Sequence, residues 1–214
     1  SSVIMTKPTL VLPKTIRFPE ENEVPMNSSV LERLRESKNA NIVPGYVFKL
    51  KDDNPDNIDL PFEFYAEINI DNPQLWSLII TLSEETLPEN CALIFGYIDS
   101  EINYGFYENK FEILKYLEDY KTELIHDTLL IWGLIYHDNE NLTEIYVDES
   151  KYLKYWGNNE EKFRNIMNQF NLSEIENIEF IDEYPKVREN INLHFENITE
   201  TGELIETLRQ TYVI

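Results

Sequence analysis

Apart from carboxylates, this 214-residue chain has few side chains suited to chemistry. Its histidines are His126, His137 and His194, and its cysteine is Cys91. A nucleophilic centre needs a nucleophile, a base and a group that orients the base. His126 and His137 fall near the two ends of one expected strand, about ten residues and so roughly 35 Å apart, too far to share a site. The chain has no Gly-x-Ser-x-Gly turn. Its six glycines lie too far apart to build a phosphate-cradling loop. One cysteine and dispersed histidines do not make a zinc ligand set. Asp52, Asn54, Asp56 and Glu63 have the spacing of a calcium-binding loop. Asn57, however, stands where such a loop needs glycine, and Pro55 and Pro61 interrupt it. A solvated acidic turn is the better reading. No catalytic residue, metal or other cofactor is expected.

What remains is a pattern of carboxylates interleaved with tyrosines. Glu63, Tyr65, Glu67 and Asp71 share one side of an alternating strand. Glu144, Tyr146 and Asp148 share one side of another, and Tyr152, Tyr155 and Trp156 follow closely. Tyrosine supplies rigid contact area, and carboxylates accept hydrogen bonds from Arg and Lys. These nine residues, Trp156 aside, are the candidate partner-binding surface. Two other readings compete. A close pair of acids could perform acid–base hydrolysis. Rows of acids also arise on any solvent-facing strand of a chain with 40 Asp and Glu.

The formal net charge is −22. Residues 1–60 are near neutral, with eight basic and nine acidic side chains, whereas residues 61–214 carry ten and 31. From Lys51 to Lys110 there are 13 acids and no intervening base. Such a surface repels itself, and it speeds encounter with a basic protein. Direct contact with nucleic-acid phosphates or an anionic membrane needs a basic footprint, so neither is expected. A single cysteine excludes an internal disulfide, and Ser1–Pro13 show no basic stretch leading into a long apolar run. The expectation is a cytoplasmic protein with Cys91 packed inside.

Six of the ten prolines fall within the first 60 residues. They predict an extended arm over 1–45 holding one helix at 29–37, followed by an acidic domain over 46–214. Alternation from Phe62 to Asp71 gives a half-buried strand. The Asn72–Pro73 pair opens a helix bearing Leu75, Trp76, Leu78, Ile79 and Leu82. Strands are expected at 92–98 and 102–107, a helix over 109–124, and an apolar strand over 129–137 covered on both faces. A strand at 142–147, a helix carrying Phe163, Ile166, Met167 and Phe170, an edge strand at 178–181 and a helix at 201–210 complete the chain. The order from 62 to 137 is βαββαβ, which is ferredoxin-like. The fold class is therefore α+β, a mostly antiparallel sheet with helices on one face.

In size, acidity and lack of a catalytic motif over residues 46–214, the chain resembles immunity proteins of bacterial toxin systems. The resemblance implies an inhibitor that forms a one-to-one complex with a basic toxin domain, such as a nuclease. A carboxylate-dependent hydrolase and a structural adaptor are the alternatives. Oligomeric state is left open.

Overall fold

The structure, a computed structural model, describes residues 9–26 and 29–214. Residues 1–8 and 27–28 of the expected arm lie outside them. The strands are β1 (Ile16–Arg17), β2 (Gly45–Leu50), β3 (Phe64–Asn69), β4 (Asn90–Tyr97), β5 (Asn103–Tyr104), β6 (Glu108–Asn109), β7 (Leu130–His137), β8 (Leu142–Val147), β9 (Leu153–Gly157) and β10 (Val187–Arg188). The α-helices are α1 (Ser29–Glu36), α2 (Asn72–Thr86), α3 (Lys110–Glu118), α4 (Lys121–His126), α5 (Glu160–Gln169) and α6 (Thr201–Tyr212).

One antiparallel sheet organises the molecule, in the order β2-β3-β9-β8-β7-β4-β5, with β6 also paired to β4. Alternate residues of each strand enter a single apolar layer: Phe64, Ala66 and Ile68 from β3, Leu130, Trp132 and Leu134 from β7, and Leu153 and Tyr155 from β9. The apolar stripes of α2 to α6 close over that layer, with Leu75, Leu117, Leu124, Phe163 and Leu208 all fully buried. The molecule is thus α+β, with α2 to α6 on one face of a mostly antiparallel sheet. The ferredoxin-like arrangement fails at the level of pairing. β7 lies between β4 and β8, and β8 and β9 separate it from β3.

Several elements differ from the sequence expectation. The 109–124 helix breaks at Asp119–Tyr120 into α3 and α4, and near the end of α4 the Leu124 carbonyl accepts the Trp132 indole N–H at 2.9 Å. Residues 102–107 supply only the short β5. Residues 178–181 are irregular, leading into a 3-10 turn at Ile181–Glu183. β2 and β9, the two strands flanking β3, carried no strand expectation. His126 ends α4 and does not lie in the strand after it.

Two buried groups fasten the frame. The Lys110 ammonium donates to the carbonyls of Ser83, Glu84 and Leu87, satisfying the C-terminal end of α2. Cys91 is fully buried nearby, and desolvation raises its thiol to about 11. The N-terminal arm lies along the domain: β1 pairs with β10, Leu10 N–H donates to Ile42, and Lys14 N–H donates to His126 Nδ1.

Candidate functional site

The face of the sheet opposite α2 to α6 is built by the other half of each alternation. Directly paired residues of antiparallel strands share a face. The register therefore defines two cross-strand rows. One runs Tyr104, Ile94, Gly133, Tyr146, Lys154, Glu67, Val47. The next runs Ala92, Ile135, Glu144, Trp156, Tyr65, Lys49. Gly133 leaves a gap in the first row. A Cβ there would stand 2.2 Å from the Ile145 carbonyl oxygen, so no larger residue fits.

One end of this face is covered by the chain itself. Residues 173–175 bond to Tyr46, and the segment that follows packs Ile178 and Phe180 against Val43 and Tyr152. The rings of Tyr152 and Phe180 lie 4.7 Å apart. Asp148 meets Asp182 beneath this cover. Ser150 and Tyr152 hydroxyls both donate to Asp182, and Lys186 and Arg188 lie 3.4 and 3.7 Å from it. Desolvation and the facing Asp182 charge push the Asp148 carboxyl upward, while hydrogen bonds from its neighbours hold Asp182 down. The two carboxyls are thus driven in opposite directions, as close like charges require. Asp148, Glu149 and Asp182 could together face a cation. Lys154, Lys186 and Arg188 already neutralise the group.

The other end is bare of any such segment among the described residues, and its side chains are partly exposed. There the Tyr65 and Trp156 rings lie 4.8 Å apart, and the Tyr65 hydroxyl donates to Glu67 at 2.7 Å. The Lys154 ammonium sits 5.7 and 5.8 Å from the Tyr146 and Tyr152 ring centres and 3.7 Å from the Asp148 carboxylate. Glu144 is half-buried between Ile135 and Trp156, and desolvation raises its carboxyl to about 7. Burial likewise raises Tyr146 to about 12 and pushes Tyr65 still higher, so both phenols stay neutral.

Of the nine nominated residues, Tyr65, Glu67, Glu144, Tyr146, Asp148 and Tyr152 come together on or at the end of this face. Exposed Glu63 continues its side just before β3. Two nominations need correction. Tyr155 points to the helical side, stacked on Phe163 at 5.1 Å between ring centres. It lies one residue out of phase with Trp156, which takes the place on the open face. Asp71 stands beyond the end of β3 and accepts the Val11 N–H at 2.7 Å, tying down the N-terminal arm. Sequence reasoning left out Lys154, Ile135 and Tyr104, which only the pairing of β5, β7 and β9 brings in.

A cleft of about 290 Å³ adjoins the bare end, lined by Lys49, Lys51, Asn57, Phe62, Tyr65 and Trp156 among others. A larger one of about 650 Å³ lies by α5, where Glu85 and Glu161 are both exposed. In the acidic turn of the expected calcium spacing, Asp52 and Asn54 accept hydrogen bonds from the loop's own backbone. No helix among the described residues is long and apolar enough to cross a membrane. In comparison with known proteins, no family model matches the chain, and no curated protein or solved structure matches it.

Proposed function

We propose that this chain is an acidic binding protein that occludes a cationic protein partner, and that the bare end of its sheet is the contact surface. The observation carrying this reading is a sheet face that the helices leave uncovered, where tyrosines, a tryptophan and the carboxylates of Glu67 and Glu144 lie in adjacent rows. Aromatic residues flanked by acids suit an interface that buries Arg and Lys. The acids are not confined to this face: α2, α3, α5 and α6 carry Glu84, Glu85, Glu112, Glu118, Glu160, Glu161, Glu203 and Glu206. The overall charge therefore supplies attraction over long range, and the open face supplies the contacts. An immunity protein that blocks a basic toxin domain, such as a nuclease, is the particular role we favour, and a cytoplasmic site of action accords with it.

The test is capture from the native host's lysate, using the wild-type chain and a Glu67→Lys, Glu144→Lys variant. Recovery of one basic protein at low salt, reduced at high salt and lost with the variant, supports the reading. Equal recovery by both proteins moves the contact elsewhere. No basic protein at low salt removes the reading altogether.

A further inference from the structure

At the bare end of the open face, the Glu144 carboxylate has neither a counter-ion nor a hydrogen-bond donor among the described residues. Glu144 stands between Ile135 and Trp156, and burial alone acts on its carboxyl. Lys49, in the same cross-strand row, lies three strand spacings away, roughly 14 Å by sheet geometry. Lys154, diagonally adjacent, is turned to Asp148 instead. That lysine shows how a cation settles on this surface, above tyrosine rings and against a carboxylate. Around Glu144 the same ingredients recur without the cation: a carboxylate, the Trp156 indole and the Tyr65 ring.

We infer that Glu144 accepts an arginine side chain of the partner, whose guanidinium stacks on Trp156 while its N–H groups pair with the carboxylate. Arginine fits better than lysine because a flat guanidinium can cover an indole and donate two parallel hydrogen bonds at once. A second copy of this chain does not suit the place, because two bodies of charge −22 repel. The inference rests on the binder reading and names the group at its centre.

A nona-arginine peptide serves as the probe, with nona-lysine and a citrulline nonapeptide as controls, at low ionic strength. Trp76 and Trp132 are buried in the helical layer, so a change in indole emission reports Trp156. Calorimetric titration gives the affinity. The expected result is that nona-arginine binds and shifts the emission, nona-lysine binds more weakly, and the citrulline peptide does not bind. Glu144→Gln weakens nona-arginine at least tenfold, whereas Glu203→Gln on exposed α6 leaves it unchanged. Denaturant unfolding checks that the Glu144→Gln protein is folded, and Trp156→Leu provides a second variant that loses the stack. Nona-arginine binding undiminished in both variants overturns the inference and leaves the binder reading standing. Failure of the wild type to bind either basic peptide overturns both.

Discussion

The two ends of the sheet's open face are made from the same residue types, yet they serve different ends. At one, Tyr152 and Asp148 lie beneath Phe180, and every charge meets a partner from the chain. At the other, Tyr65, Trp156 and Glu144 have the same chemistry and, among the described residues, no such cover. What separates a structural tyrosine–carboxylate cluster from an available one is a loop far along the sequence, residues 173–184. Composition alone does not distinguish them.

The sharpest way to separate the ends is by stability. Tyr152→Ala at the covered end removes a buried ring packed on Phe180 and should cost about 3 kcal/mol in denaturant unfolding. Glu144 should show itself through pH. Its folded-state carboxyl stands at about 7, above the unfolded value, so its contribution is complete below about pH 4.5 and is lost as pH rises through 7. The loss should be on the order of 2–3 kcal/mol, and in Glu144→Gln the stability profile should flatten between pH 5 and 8.

His126 should give an effect of similar size and opposite sign, because its shift is as large. Burial lowers its folded-state value to about 4, and its Nδ1 accepts the Lys14 N–H. Its contribution is complete above about pH 6.5 and is lost as pH falls through 4. Amide exchange at Lys14 should accelerate over that range, while exchange in β7 stays slow. Least of all, Trp156→Ala should cost about 2 kcal/mol of stability, because its ring is only partly buried and packs on Tyr65. A loss as large as that of Tyr152→Ala would show that the bare end is part of the core.

Much of this architecture was legible in the sequence, because burial imposes period. The alternation of Phe64, Ala66 and Ile68 against Tyr65 and Glu67 placed the right residues on the open face. The same held for Ile145 and Val147 against Glu144 and Tyr146. β2 and β9 were harder to see. Five or six residues with a lysine amid aromatics, as in Leu153–Gly157, carry too short a pattern to separate strand from loop. That uncertainty put Tyr155 on the wrong side, since a one-residue change in phase reverses every side chain. Asp71 was misplaced because alternation does not show where a strand stops and an N-cap begins. The cover over Tyr152 and Asp148 depends on contacts about thirty residues apart, which periodicity does not encode.

Hydroxyl-radical footprinting of the complex tests the central claim most directly, because it reads side-chain exposure residue by residue. With the captured basic partner bound, oxidation of Trp156, Tyr65, Tyr146 and Tyr104 should fall several-fold, while exposed Phe111 and Leu193 react as in the free protein. Unchanged oxidation of those four residues, with protection on the helices instead, would contradict the account.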